Sequence, residues 1–349
     1  MRPLNIAGRL VGPGHACLVI AEAGVNHNGR LDMALALVDA AAAAGAEAVK
    51  FQTFRAEEVA SPQAPKAAYQ EEATGRDESQ LAMLKALELA PEAYAAIAGR
   101  CRQRGLIFLS TPFDAASADL LAALGMPAFK LPSGELTNLP LLAHVGRKGR
   151  PVILSTGMAD LDEVAAAVET LRAAGCAELA LLHCVSNYPA DPAQANLRAM
   201  AALAQAFAVP VGYSDHTLGL EVPLAAVALG ACIIEKHFTL DRELPGPDHR
   251  ASATPAELAA LVAGARKVAA ALGHGRKEPA PDEAGTRAAA RRSLVAAVDI
   301  PAGAVLTAAM VAIKRPGTGL PPAMLAKILG RRAATEMPAG TILSLEMLA

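Results

Sequence analysis

Glu22-Ala23-Gly24-Val25-Asn26-His27-Asn28-Gly29 closes the first strand-like run of the chain, 17–23, and the form of this turn separates two folds. A doubly wound nucleotide-binding sheet would turn here through Gly-x-Gly-x-x-Gly. This stretch ends the strand on a carboxylate instead, and it does not read Gly-x-Gly-x-x-Gly. Outward from it, short apolar runs recur at 48–52, 107–111, 128–131, 152–156, 179–184, 211–214 and 232–237. Several are β-branched, as in parallel strands covered on both faces. Amphipathic, alanine-rich stretches alternate with them at 31–44, 91–104, 115–124, 139–147, 161–173, 197–207, 220–229 and 255–272. Gly45, Gly105, Gly125, Gly175 and Gly230 stand where helix C-caps want a positive φ. Eight strands alternating with eight helices predict an α/β chain built on a (β/α)8 TIM barrel, which takes about 250 residues.

The chain has 349 residues, so a small second domain fits beside the barrel. We place the barrel at 1–272, a Pro/Gly/charge-rich linker at 273–292 and a loop-rich domain at 293–349. Pro301-Ala302-Gly303 and Pro338-Ala339-Gly340 mark two related halves of that last domain. The segment 54–85, with Pro62 and Pro65, reads as a loop near the barrel mouth. Net charge is −2 with no basic stripe, which argues against nucleic acid and anionic membranes as partners. Five cysteines without a Cys-x-x-Cys pair read as buried free thiols in a reducing cytoplasm. No signal peptide or membrane-spanning run is expected.

In this fold, functional groups gather at the C-terminal strand ends. Those ends carry Glu22, Lys50, Gln52, Thr111, Lys130, Ser133, Ser155, Tyr188, Ser214, His216, Glu235 and His237. Lys50/Gln52, Ser214/His216 and Glu235/His237 are i, i+2 pairs, so each pair shares one face of its strand. Charge pointing into a barrel is costly unless paired or bound to a ligand. His216 and His237, on adjacent strands, could bind a borderline divalent metal; hydrogen-bonded core histidines are the plainer alternative. Lys50 and Lys130 with Thr111, Ser133, Ser155 and Ser214 suit a phosphate and a carboxylate better than they suit a Schiff base, the rival role for a lysine. Glu22, Glu235 and Asp248 could hold sugar hydroxyls or move protons.

The ordered motifs then resemble those of sialic acid synthases. They are Ala21 to Gly29, Val49-Lys50-Phe51-Gln52, Ser110-Thr111-Pro112-Phe113-Asp114, Pro132-Ser133-Gly134-Glu135, Leu154-Ser155-Thr156-Gly157-Met158, Leu182-His183-Cys184, Tyr213-Ser214-Asp215-His216-Thr217 and Ile234-Glu235-Lys236-His237-Phe238-Thr239. The tail Lys314-Arg315-Pro316-Gly317-Thr318-Gly319 resembles the family's antifreeze-protein-like (SAF) domain. The resemblance covers nearly the whole chain.

It implies condensation of phosphoenolpyruvate with N-acetylmannosamine or a 2,4-diacetamido-2,4,6-trideoxy-mannose, addition of water and release of phosphate. The product would be N-acetylneuraminate or N,N'-diacetyllegionaminate. It places Mn²⁺, with Mg²⁺ or Co²⁺ as alternatives, on His216 and His237. It counts Glu22, Lys50, Glu235 and the two histidines as catalytic. Lys50, Thr111, Lys130, Ser133, Ser155, Ser214 and one of Ser186 and Asn187 would hold phosphoenolpyruvate. Gln52, Glu135, Tyr188, Glu235, Asp248 and Arg315 would hold the sugar, with Arg315 reaching from the partner of a domain-swapped homodimer. The competing expectations are a lysine Schiff-base pyruvate aldolase and a non-enzymatic glycan-binding module.

Overall fold

A short antiparallel hairpin, β1 (Leu4–Ile6) and β2 (Arg9–Val11), opens the chain, and eight parallel strands follow in a single sheet. These are β3 (Leu18–Gly24), β4 (Ala48–Thr53), β5 (Ile107–Pro112), β6 (Phe129–Leu131), β7 (Val152–Ser155), β8 (Leu179–Cys184), β9 (Val211–Asp215) and β10 (Ile233–His237). Their order is β5-β4-β3-β10-β9-β8-β7-β6, so the first and last barrel strands pair and the sheet curls into a nearly closed barrel. The ladder stops between β5 and β6. There the backbone N–H of Ser110 donates to the Met126 thioether, 3.1 Å away. The computed structural model describes residues 1–75 and 77–349.

A packing helix follows each barrel strand in turn: Leu31–Ala43, Pro91–Arg104, Ala115–Ala123, Leu139–Gly146, Leu161–Ala173, Ala199–Phe207, Glu221–Ala228 and Pro255–Leu272. Several start on side-chain caps. Asp160 and Thr254 each form a capping box, with Glu163 and Glu257, and Asp114 accepts from the Ser117 N–H. Their apolar stripes bury one large core against the outer face of the sheet.

Inside the barrel, alternate residues stack in layers. At the N-terminal end Leu18, Ile20, Ala48, Leu109, Ala128, Ile153, Ala180, Leu182 and Ile233 pack together, and Leu4, Ile6 and Val11 of the hairpin plug the opening. Gly212 belongs to this layer; a Cβ there would sit 2.4 Å from the Ile233 carbonyl oxygen and 2.8 Å from Leu182 Cδ2. One step further along the same strand faces come Glu22, Lys50, Thr111, Lys130, Ser155, Cys184, Ser214 and Glu235. That switch from apolar to polar sets where chemistry can occur.

Two segments depart from expectation. The 54–85 stretch is not a plain loop: it holds helices Ala56–Val59, Ala68–Thr74 and Gln80–Leu87. Ser79 caps the last of these, and the buried ammonium of Lys66 ties Thr74 Oγ1, the Gly75 carbonyl and Glu78 together. The 273–292 stretch is not a bare linker either. The chain divides into units Met1–Gly273 and His274–Ala349, and the latter includes a helix at Ala284–Ala290. Its C-terminal turn accepts from Gly317 N–H and Arg315 Nε.

The second unit has its own core, including Leu294, Ile300, Leu306, Ile328, Met337 and Leu343. Strands β11 (Ser293–Ala296) and β12 (Val311–Lys314) pair antiparallel. The two Pro-Ala-Gly turns close alike, Ala304 N–H onto the Pro301 carbonyl and Thr341 N–H onto that of Pro338. Each leads to a one-turn 3-10 helix, Ala308–Met310 and Leu345–Met347. The halves interlock through Ile300–Met337 and Ala296–Gly340 backbone bonds.

Candidate active site

The polar strand ends surround a cavity of about 410 Å³ at the C-terminal mouth of the barrel. Glu22, Lys50, Gln52, Thr111, Lys130, Ser133, Ser155, Ser186, Tyr188, Ser214, His216, Glu235, His237 and Asp248 all line it. Two buried ion pairs form its floor. Lys50 Nζ lies 2.8 Å from Glu22 Oε2 and 2.9 Å from Thr111 Oγ1. Lys130 Nζ lies 3.5 Å from Glu235 Oε1, whose same oxygen accepts from the Ser214 hydroxyl at 3.1 Å.

The second oxygens of Glu22 and Glu235 find no hydrogen-bond partner, although Glu22 Oε2 is ion-paired with Lys50. The buried Ser155 Oγ has no hydrogen-bond partner at all. Buried groups left so poorly satisfied destabilise a fold by about 1–3 kcal/mol each, so a cluster of them points to a ligand.

Burial drives the electrostatics. It pushes the Glu22 carboxyl up to about 7 against the pull of Lys50, with Glu235 adding to the rise. On Glu235 burial also works upward, yet Lys130, Lys50 and the Ser214 hydroxyl hold it below its usual range. Burial lowers the Lys130 ammonium and lifts Asp248 to about 6. It also lowers both imidazoles, His237 the more strongly because His216 and the lysines face it.

Those neutral imidazoles fit a divalent metal. Their ring centroids are 5.6 Å apart. Nδ1 of His216 lies 2.7 Å from the Val185 carbonyl, so it is the donor and Nε2 keeps its lone pair. Nδ1 of His237 is buried without a hydrogen-bond partner, 3.9 Å from Asp248 Oδ2. Among the described residues no cluster of three His, Cys, Asp or Glu could hold an ion, so water and substrate oxygens would have to complete the shell.

Local backbone places these groups. The β3–β4 register shifts between Glu22 and Gly24, a bulge of the kind that re-aims side chains beside active sites. Gly24 takes φ 54°, and a Cβ there would meet His237 Cε1 at 3.3 Å and Glu22 Oε1 at 3.4 Å. Behind the histidines, on the outer face of the same strands, Lys236 pairs with Asp215 at 2.5 Å, fully buried. Asp215 and Lys236 are also register partners, which sets Ser214 opposite Glu235.

Sequence profiles place the chain among known proteins. That of the NeuB family matches residues 37–277, and that of the SAF domain matches residues 291–349. The chain belongs to the NeuB family. It is 46% identical to an N,N'-diacetyllegionaminic acid synthase of Legionella pneumophila, over 95% of this chain and 94% of that one. A second protein of that name, from Campylobacter jejuni, is also 46% identical, over 90% and 95%. The crystal structure of an N-acetylneuraminic acid (sialic acid) synthetase from Leptospira borgpetersenii, in complex with citrate, superposes with a TM-score of 0.72 at 36% identity, covering 82% of this chain and 95% of that one.

Within this NeuB chain two expected residues stand apart. Glu135 does not line the cavity: the chain leaves the strand into a 3-10 turn, Ser133–Glu135, and its carboxylate accepts from Asn138 Nδ2 at 2.7 Å. Arg315 lies in the second unit, exposed, with Nε donating to the Ala290 carbonyl. Of the pair Ser186 and Asn187, Ser186 lines the cavity.

Other lining residues escaped the sequence reading. Cys184, read as an inert core thiol, holds Sγ 3.2 Å from Ser133 Oγ. Gly157 N–H donates to that same Oγ at 2.9 Å, and a Cβ on Gly157 would lie 2.3 Å from Ser186 Oγ. From the insertion, Tyr69 stacks on Tyr188 at 4.9 Å, which stacks on His216 at 4.0 Å. The i, i+2 rule that found the strand positions has no purchase on the loop contacts of Tyr69 and Gly157; Cys184, the last residue of β8, lies on such a face but reads as an apolar core thiol.

Proposed function

We propose that this chain joins phosphoenolpyruvate to a 2-acetamido mannose-type aldose and water, giving a nonulosonic acid and inorganic phosphate. One observation carries the reading: Lys50, Lys130 and the hydroxyls of Thr111, Ser133, Ser155 and Ser214 share a single cavity with two neutral histidines and the unequal carboxylates of Glu22 and Glu235. The names of its NeuB relatives support it.

Lys50 and Lys130 offset the charge of phosphate and carboxylate, and Thr111, Ser133, Ser155 and Ser214 donate to their oxygens. Anions arriving there satisfy the orphaned Ser155 hydroxyl. C3 of phosphoenolpyruvate bonds to the aldehyde carbon. Water adds at C2, and the C2–O bond to phosphate breaks with its electron pair leaving on oxygen. Glu22 and Glu235 stand where they can take the water's proton and return one to the aldehyde oxygen. His216 and His237 would hold Mn²⁺ or a similar ion, which supplies Lewis-acid polarisation of the aldehyde when bound. Gln52, Tyr188 and Asp248 would orient the sugar.

The same reading takes the working form as a cytoplasmic homodimer, with Arg315 serving the partner's sugar. Five free thiols accord with a reducing compartment, and among the described residues no helix is long and apolar enough to cross a membrane. The deciding experiment follows phosphate release from phosphoenolpyruvate with a panel of 2-acetamido mannose-type sugars, with and without chelator. Release that needs both sugar and divalent metal supports the proposal. A borohydride-trapped pyruvate adduct on the buried Lys130, whose ammonium is destabilised, would shift it to the Schiff-base aldolase.

A further inference from the structure

The two histidines sit where the ladder between their strands gives out. β9 and β10 pair Tyr213 with Ile234, Ser214 with Glu235 and Asp215 with Lys236, and the register ends there, one residue short of both. His237 stays in register with Glu22 of β3, while His216 lies past the end of β9. His216 is tied through Nδ1 to the Val185 carbonyl. Nδ1 of His237 has no hydrogen-bond partner, and its ring meets Tyr188 edge-on at 5.5 Å. Yet imidazoles that share one divalent ion must each place a nitrogen about 2.1 Å from it, within roughly 0.2 Å.

On the outer face of the same strands a side-chain clamp takes over from the ladder. Lys236 Nζ, reaching from β10, donates to Asp215 Oδ2 at 2.5 Å and to the Thr217 carbonyl at 2.6 Å. One ammonium thus grips the residues on either side of His216. Asp215 Oδ1 accepts from the Thr217 N–H at 3.0 Å and from its hydroxyl at 2.8 Å, which closes the loop. All three residues are buried. Earlier outward positions on these strands, Val211, Tyr213 and Ile234, belong to the apolar core. A buried ion pair gives a fold no more than well-packed apolar side chains of similar volume would. Its place immediately before both histidines therefore calls for another reason.

Resting on the reading that His216 and His237 hold a divalent ion, we propose that Asp215, Lys236 and Thr217 are positioning residues for that ion. Their clamp locks β9 to β10 beyond the last backbone pair and presets the spacing of the two imidazoles. The test measures Mn²⁺ affinity of the metal-free, full-length protein without substrates, by loss of the free-ion signal in electron paramagnetic resonance, with thermal unfolding of the same samples. Asp215→Leu/Lys236→Met removes the clamp without leaving a lone buried charge. It should unfold at or above the wild-type temperature and yet bind Mn²⁺ about 10- to 100-fold more weakly. A purely structural pair would move the unfolding temperature and leave the Mn²⁺ affinity alone. Thr217→Val deletes only the hydroxyl's bond to Asp215; it should weaken Mn²⁺ to a lesser degree, and it covers the case in which the double variant does not fold. Phosphoenolpyruvate affinity, measured by calorimetry in chelator, should stay within about twofold in both, since Lys50 and Lys130 stand on β4 and β6. Wild-type Mn²⁺ affinity in the folded double variant, or in Thr217→Val where the double variant does not fold, overturns the proposal. So does an equal loss of phosphoenolpyruvate affinity. A wild type that binds no Mn²⁺, or a His216→Ala variant that binds it as tightly, sinks the two-histidine metal reading and the clamp with it.

Discussion

The two ends of the barrel interior come from the same eight strands and obey opposite rules. At the N-terminal end Leu18, Ile20, Leu109 and Ile153 pack without a polar atom between them, sealed by the β1–β2 hairpin. Two residues along, Glu22, Ser155 and Glu235 face the same axis beside lysines and leave polar atoms without hydrogen-bond partners. Stability is concentrated at one end and ligand demand at the other, so mutations at the two ends should move different observables.

The largest expected effect is on stability. Leu109→Ala opens a void in the sealed layer and should cost about 2–5 kcal/mol in denaturant unfolding, with phosphate release per folded molecule retained. A lost turnover at unchanged stability would erase the contrast. Next, Lys50→Met at the polar end should slow phosphate release by roughly 100- to 1000-fold, as removal of a charge-stabilising donor does elsewhere.

A third test asks whether every rim polar group serves the ligand. His27, just past β3, is buried, and Phe51 lies near its ring. Burial, with His249 adding, holds it down to about 4. The unfolded chain therefore binds a proton near pH 6.5 that the folded chain refuses until about pH 4. Stability from this residue is full above neutrality and falls through that window, by up to about 3 kcal/mol. In urea titrations at pH 7 and pH 5, His27→Gln should show a smaller loss than the wild type. An identical acid slope would mean His27 gains its proton without opening the fold.

The smallest effect is the most diagnostic. Ser155→Ala removes an orphaned hydroxyl, so the free protein should gain about 1 kcal/mol while the KM for phosphoenolpyruvate rises about tenfold. A destabilised Ser155→Ala would show that the hydroxyl serves the fold rather than a ligand.

The barrel was legible because parallel strands covered on both faces must be short apolar runs. The site was legible because charge at i, i+2 positions on such runs has no structural excuse. Legibility failed where those periodicities do. The β1–β2 hairpin has three-residue strands joined at Ala7 and Gly8, with φ 53° and 84°, and alanine gives no warning of a left-handed turn. Helices Ala56–Val59 and Ala68–Thr74 are too short to show a 3.6-residue stripe, so Val59 and Tyr69, which line the cavity, stayed hidden. Glu135, assigned to the sugar by the resemblance alone, follows a strand that has already given way to a 3-10 turn.

The paired Pro-Ala-Gly turns of the second unit bear on how it can fold. Ile300 and Met337 exchange both backbone hydrogen bonds, and the Ala296 carbonyl receives the Gly340 N–H. Each half thus supplies the scaffold that the other lacks. Order must arrive in both together, and a peptide cut between Gly319 and Leu329 should yield two coils that regain protection from hydrogen exchange only when mixed.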